Sequence, residues 1–114
     1  DEFLLAIKNK DNIFLIAENL QGVKIGFLYA TTDDKDKPLK KKWACLVYLG
    51  VLANFRKQGV AGMLYDKAVM ELRVRDITNL YGWANIESDG AILEFMEKKG
   101  FTEGHAYRWM DKKI

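Results

Sequence analysis

The segment from Val51 to Gly62, VLANFRKQGVAG, is the part of the chain best suited to bind an anion. It lies between an apolar strand pattern and an amphipathic helical pattern. The backbone N–H groups of such a turn, together with the positive end of the helix dipole, attract a negatively charged ligand. Small residues at Gly59, Ala61 and Gly62 allow that ligand to approach the backbone closely. The expected ligand is a phosphate or a pyrophosphate.

The elements that must position this turn are predicted from the spacing of apolar residues. Phe3, Leu4 and Ile7 have the spacing of a short helix within residues 1–10. A β-hairpin of Ile13–Ala17 and Val23–Thr32 is expected next, followed by a charged loop at 33–42 and a strand at Trp43–Leu52. A helix from Gly59 to Arg75 and a strand at Leu80–Asn85 follow. The last expected elements are a helix that starts near Ser88 or Asp89 and ends at Gly100, and a final strand or hairpin arm at Phe101–Asp111. This order predicts one α+β domain over residues 1–114, an α/β sandwich with a mixed sheet flanked by helices.

The composition argues against several classes of protein. The chain has 114 residues, and its net charge of +2 gives no reason to expect nucleic acid or membrane binding. It contains no apolar run close to the ~20 residues that a membrane span needs. One cysteine and one histidine provide neither an internal disulfide nor a metal site. We therefore expect a protein of the reducing cytoplasm that uses no metal.

Two motifs connect the chain to a known family. Arg56, Gly59 and Ala61 form the pattern R-x-x-G-x-A directly after the apolar strand. A later block, SDGAILEFMEKKGF, has the spacing N-x-x-A-x-x-x-Y-x-x-x-G-F, with Ser88 in place of Asn and Phe95 in place of Tyr. In order and spacing the chain resembles the GNAT-type N-acetyltransferases, which transfer acetyl groups from acetyl-coenzyme A.

The resemblance implies the acyl-CoA N-acyltransferase fold. The chain begins at the position of that fold's second helix, so the first strand and helix are expected to be missing. The exposed edge of the sheet would then be covered by another chain, which favours a homodimer.

The resemblance also implies acetyl-coenzyme A as co-substrate and assigns residues to it. The pyrophosphate would bind the turn, and the pantetheine arm would pair with backbone on the strand before it. The residues assigned to coenzyme A are Leu49, Gly50, Val51, Arg56, Lys57, Gln58, Gly59, Val60, Ala61, Gly62, Ser88 and Phe95.

The catalytic assignment is less complete. Many family members carry a glutamate on the long strand, whereas Cys45–Leu52 contains no carboxylate. Tyr48, which strand alternation places on one face with Leu46 and Gly50, is either a base or water-orienting group, or a packing residue and substrate wall. The N–H near Gly50 would bind the developing oxyanion, and the alternative is that Gly50 marks a β-bulge.

Phe95 departs from the family pattern, because a phenyl ring cannot protonate the departing thiolate. Three alternatives follow: another hydroxyl (Ser88, Tyr81 or Tyr107) is the donor, water is the donor, or acetyl transfer is slow or absent. Ser88 is a candidate both for holding the pantetheine or thiol and for capping the helix that follows it.

The predicted function is transfer of acetyl to a primary amine, by direct attack in a ternary complex. A small-molecule amine is preferred over a protein amine as acceptor. One alternative is a catalytically weak or inactive coenzyme A-binding domain with a sensing or structural role. A second is an unrelated nucleotide or phosphate binder, although the chain lacks the pattern G-x-x-x-x-G-K-[ST].

Overall fold

The structure, a computed structural model, describes residues 3–8 (backbone only), 12–32, 42–84, 91–104 and 108–114. It divides into two compact units, Asp1–Trp83 and Ala84–Ile114. The first unit contains β1 (Phe3–Lys8), β2 (Asn12–Glu18), β3 (Lys24–Thr31), β4 (Trp43–Val51), a 3₁₀ turn (Ala53–Phe55), α1 (Val60–Val74) and β5 (Asn79–Gly82). The second unit contains α2 (Ala91–Lys98).

The five strands form one sheet in the order β1-β2-β3-β4-β5. The first four strands are antiparallel neighbours, and β5 pairs in parallel with β4. Parallel pairing of β4 and β5 requires a crossover connection, which α1 supplies. The predicted α+β class with a mixed sheet is therefore confirmed.

Two predicted elements are wrong. The segment predicted as a short N-terminal helix is the strand β1, in which Leu5 lies opposite Ile16 of β2. A short apolar run fits both periods, and the pairing edge of β2 decides between them. The predicted final strand at 101–111 is absent from residues 101–104 and 108–114, which have no regular structure. A strand pattern forms a strand only where a partner edge is available.

The core of the first unit lies between α1 and one face of the sheet. Gly26 lies tightly against α1, since a Cβ there would lie 3.0 Å from Leu64 Cδ1 and 3.0 Å from Val60 Cγ1. The buried apolar side chains of α1 are Val60, Leu64, Ala68 and Leu72, and those of the sheet include Ile13, Leu15, Ala17, Leu28, Ala30, Ala44 and Leu46. Met63, whose spacing along the helix matches that of the buried residues, is only half-buried.

Helix α2 ends as the sequence predicts. Gly100 has a φ of +92°, and the N–H of Phe101 donates to the carbonyl of Met96 at 3.0 Å. This left-handed ending satisfies carbonyl groups of the last turn. The predicted start of the helix at Ser88 or Asp89 lies outside the described residues.

Candidate active site

The turn between β4 and α1 is built on two left-handed residues. Lys57 has a φ of +64° and Gly59 a φ of +82°. Glycine adopts this conformation without strain, whereas at Lys57 it costs about 1–2 kcal/mol. A Cβ at Gly59 would meet no atom within 4 Å, so the turn opens outward at this residue. Backbone strain of this kind concentrates at ligand-binding sites.

Arg56 ties the turn to the end of the strand before it. Its Nε donates to the carbonyl oxygen of Val51 at 2.9 Å. The sequence prediction placed the charge of Arg56 beside a bound phosphate. The structure adds a positioning contact, because the same guanidinium holds the turn against β4.

The start of α1 presents backbone donors that no side chain in the described part of the chain caps. Gly59 is the N-cap residue, and the first turn of the helix contains no acidic residue. The first N–H groups of a helix have no acceptor within the helix itself. An uncapped helix start beside the exposed cations Arg56 and Lys57 therefore favours an anionic ligand.

A β-bulge at Val47 changes which face of the sheet the side chains of β4 lie on. Tyr29 of β3 pairs with Tyr48, and the next residue, Ala30, pairs with Leu46, so Val47 is one extra residue. Leu46 is 7% exposed and belongs to the core, whereas Val47 is 51% and Tyr48 54% exposed. The prediction that Tyr48 shares a face with Leu46 is therefore wrong, because a bulge interrupts the alternation of side chains.

Beyond the bulge, β4 has two different faces. Leu49 and Val51 pack against the core beneath α1. Tyr48 and Gly50 lie on the opposite face, in register with Tyr29 and Phe27 of β3. The alternative that Gly50 marks the bulge is also wrong, since the bulge lies three residues earlier.

The Tyr48 ring occupies the space beside Gly50. A Cβ at Gly50 would lie 2.5 Å from Tyr48 Oη and 2.9 Å from Cζ. The ring also contacts Phe27, with 5.5 Å between the ring centroids. Glycine at position 50 is thus required for the Tyr48 hydroxyl to lie over the strand backbone.

β4 continues past the end of its parallel partner. The pairing with β5 runs from Trp43↔Asn79 to Leu46↔Gly82 and ends there. The backbone of 47–51 has no strand partner on that side among the described residues. This is the stretch in which the sequence places Leu49, Gly50 and Val51 as pairing partners of an extended ligand.

Of the remaining predicted site residues, the structure describes Tyr81 and Phe95. Tyr81 lies opposite Cys45, its ring is 6.0 Å from that of Trp43, and its hydroxyl is buried. Phe95 is half-buried on α2, where Lys99 Nζ lies 5.9 Å from the centre of its ring. Ser88 and Tyr107 lie outside the described residues.

An open groove of about 510 Å³ begins at the turn and follows α1. Its lining residues are Gly59, Gly62, Met63, Asp66, Lys67 and Met70. Beside it on α1, burial and then the Asp66 carboxylate raise the pKa of Tyr65, so this phenol stays neutral at physiological pH. Among the described residues, no three His, Cys, Asp or Glu side chains cluster as a metal site would require. In the same part of the chain, no helix is long and apolar enough to cross a membrane.

Sequence reasoning missed the bulge at Val47 and the row of aromatic rings that it completes. Phe14, Phe27 and Tyr29 continue the ring contacts of Tyr48 across three strands. Their alternation with buried residues in β2 and β3 was a usable signal. The bulge had no such signal, because Val47 has an ordinary strand residue type.

Residues 1–101 match the model of the acetyltransferase (GNAT) family. Because this match covers most of the 114 residues, the chain belongs to that family. The resemblance inferred from the two motifs is thereby confirmed. No protein with a curated description matches the chain significantly.

Solved structures show the same fold. Aminoglycoside 6′-N-acetyltransferase AAC(6′)-Ig from Acinetobacter haemolyticus, in its apo form, is 25% identical with a TM-score of 0.71, over 93% of this chain and 73% of that one. Aminoglycoside N-acetyltransferase AAC(6′)-Iy in complex with CoA is 21% identical with a TM-score of 0.77, and the match covers 93% of this chain and 79% of that one. The same enzyme with the bisubstrate analogue CoA-S-monomethyl-acetylneamine is 23% identical with a TM-score of 0.74, and the match covers 93% of this chain and 72% of that one.

Proposed function

We propose that this protein is an N-acetyltransferase that moves an acetyl group from acetyl-coenzyme A to a primary amine. The observation that carries the proposal is the start of α1, uncapped among the described residues, which lies next in the chain after the stretch of β4 that continues past β5. The start of α1 suits a pyrophosphate, and the stretch of β4 past β5 suits the extended, amide-bearing pantetheine arm of coenzyme A. The CoA complex of AAC(6′)-Iy, which has the same fold, supports the same ligand here.

The pyrophosphate would accept hydrogen bonds from the backbone N–H groups between Arg56 and Gly62. The pantetheine amides would pair with the free edge of β4 at Leu49, Gly50 and Val51. Lys57, together with the part of the Arg56 guanidinium not bonded to Val51, adds positive charge near the phosphates. Other residues of the turn assigned to the same ligand are Gln58, Gly59, Val60 and Ala61.

The reaction is an acyl transfer in a ternary complex. The amine nitrogen attacks the thioester carbonyl carbon, forming a C–N bond. A backbone N–H near Gly50 stabilises the oxyanion that develops. The C–S bond then breaks, the sulfur leaves with the electron pair, and the proton lost by the nitrogen ends on the thiol. The products are an N-acetylamine and coenzyme A.

Tyr48 is the residue of β4 that can take part in proton transfer. A primary amine with a pKa near 10.4 is almost fully protonated at pH 7, and freeing its base costs about 4 to 5 kcal/mol. The exposed Tyr48 hydroxyl, held over Gly50, can orient the water molecule that takes up that proton, and only its phenolate form could accept the proton itself. The positions of Ser88 and Phe95 in the family motif assign them to the thiol end of coenzyme A.

We further propose that both units form one acetyltransferase domain over residues 1–114, which acts on a small-molecule amine and associates as a homodimer. The complex of AAC(6′)-Iy with the bisubstrate analogue CoA-S-monomethyl-acetylneamine supports a small-molecule acceptor for this chain as well. In this chain, the missing glutamate and Phe95 leave a weakly catalytic coenzyme A-binding domain as the alternative.

A thermal melt with and without acetyl-coenzyme A tests the proposal. A ligand at 100 times its Kd adds about 2.7 kcal/mol, which raises the Tm of a domain of this size by roughly 8 to 15 °C. ATP at the same concentration serves as the control for general phosphate binding. No rise with millimolar acetyl-coenzyme A would reject the site. A rise without turnover of any amine in a panel would favour the non-catalytic alternative.

A further inference from the structure

The face of the sheet opposite α1 carries a continuous row of aromatic rings next to Gly50. Phe14 stacks on Tyr29, with 4.5 Å between centroids and 17° between planes. Phe14 also contacts Phe27 at 6.2 Å, and Phe27 contacts Tyr48 at 5.5 Å. We call these four side chains the aromatic platform.

The platform is accessible and ends at the proposed reaction site. Phe14, Phe27 and Tyr29 are half-buried, and Tyr48 is 54% exposed. Tyr48 forms the end of the platform, where its hydroxyl lies over Gly50. An acceptor that lies on the rings would therefore have its amine beside the strand stretch proposed to hold the thioester.

The described strands that form and flank the platform carry few charges. Strands β2 to β5 contain two charged residues, Glu18 and Lys24, and these lie opposite each other at the end of the hairpin. Recognition of several ammonium groups requires several carboxylates. The low charge of these described strands favours a ligand with one amine and a flat apolar body, which stacks on accessible rings and gains about 0.5–1.5 kcal/mol for each ring pair.

An apolar surface also helps to deprotonate the acceptor amine, a step for which β4 offers no carboxylate. Removing water from an ammonium group disfavours its charged form and lowers its pKa. A carboxylate beside the amine would have the opposite effect. The platform thus favours the free base that attacks the thioester.

We infer that the acceptor is an arylalkylamine, a primary amine on a short chain that carries an aromatic ring, with the platform as its binding surface. This inference rests on the proposed acetyltransferase function and narrows its acceptor. It differs from the aminoglycoside acceptors in the names of the enzymes that share the fold.

Acetylation of a matched amine series tests the inference. The series comprises 2-phenylethylamine, 2-cyclohexylethylamine, butylamine and the polycation kanamycin. We expect kcat/KM for 2-phenylethylamine to exceed that for butylamine by about tenfold or more, from the additional apolar area buried. It should exceed that for 2-cyclohexylethylamine by about threefold or more, from ring stacking. Kanamycin should be the poorest substrate.

Two variants of the platform localise the preference. Phe27→Leu and Phe14→Leu keep an apolar side chain but remove a ring, and each should lower the ratio of kcat/KM for 2-phenylethylamine over butylamine by about threefold or more. Tyr65→Leu, which removes a ring from α1, is the matched control and should leave that ratio unchanged. Phe14→Leu keeps the test valid if Phe27→Leu displaces Tyr48 or fails to fold.

The outcomes separate this inference from the function it rests on. Turnover of kanamycin tenfold better than of 2-phenylethylamine would overturn the inference and leave the acetyltransferase standing. So would an unchanged aryl-to-alkyl ratio in both leucine variants. Absence of turnover with every amine would reject the transferase, and the acceptor assignment with it.

Discussion

The hydroxyl of Tyr48 lies over Gly50, two residues further along β4, so closely that a Cβ at position 50 would be 2.5 Å from Oη. The two residues share a face through ordinary strand alternation, and the bulge at Val47 turns that face away from Leu46 and the core. This relationship places the one phenol of β4 beside the backbone that the proposed reaction uses.

Gly50→Ala should displace the Tyr48 ring and lower kcat. The contact involves the far end of a flexible side chain, so the ring can rotate away, and we expect the variant to remain folded. In a Tyr48→Ala background, Gly50→Ala should have little further effect, because the displaced ring is absent. A double-mutant cycle on kcat measures this coupling. Additive effects would show that Gly50 acts independently of Tyr48.

Tyr48→Phe should lower kcat by about tenfold or more, which is less than the roughly 10²–10⁴-fold typical of a direct general acid or base and fits a group that orients water. The ring remains, so binding of acetyl-coenzyme A and the free energy of unfolding should change little. Steady-state kinetics and urea unfolding provide the measurements. Tyr65→Phe, which removes a tyrosine hydroxyl group from α1, is the control. A kcat equal to that of the wild type would make Tyr48 a substrate wall only.

Gly59→Glu should abolish binding of acetyl-coenzyme A by placing a carboxylate at the proposed pyrophosphate site. Gly59→Gln has nearly the same shape and the same backbone strain at a φ of +82° but no charge, so it should bind more tightly than the glutamate variant. Isothermal titration calorimetry compares the two Kd values. Equal affinities would show that the start of α1 does not hold the phosphates.

Phe95→Tyr should raise kcat severalfold, because it restores a donor for the departing thiolate at the family's usual position. The test compares acetylation rates under saturating substrates. Phe101→Tyr adds a hydroxyl elsewhere in the same unit and should have no effect. An unchanged rate in Phe95→Tyr would assign protonation to water or to another hydroxyl.

Gly26→Val should destabilise the fold by about 1–3 kcal/mol through overpacking. A Cβ at Gly26 already lies 3.0 Å from both Leu64 Cδ1 and Val60 Cγ1, and the larger side chain must push α1 off the sheet. Gly104→Val, at a site with no atom within 4 Å of the added Cβ, should change stability by no more than about 0.5 kcal/mol. Urea unfolding of both variants measures the difference, and equal stabilities would contradict the packing described for Gly26.

The sequence by itself determined the features that depend on neighbouring residues. The turn from Arg56 to Gly62, the helix that follows it and the left-handed ending at Gly100 all depend on local backbone preferences, which residue types encode directly. The motif around Arg56, Gly59 and Ala61 also identified the family correctly.

Only the tertiary structure decided which side chains share a face. The bulge at Val47 exists because β4 pairs with β3 in a shifted register, and that register depends on residues far apart in the chain. Pairing with β2 turned the predicted N-terminal helix into β1, and the registers of β2, β3 and β4 aligned the aromatic platform. Local periodicity cannot report these features, since their energy comes from contacts between strands.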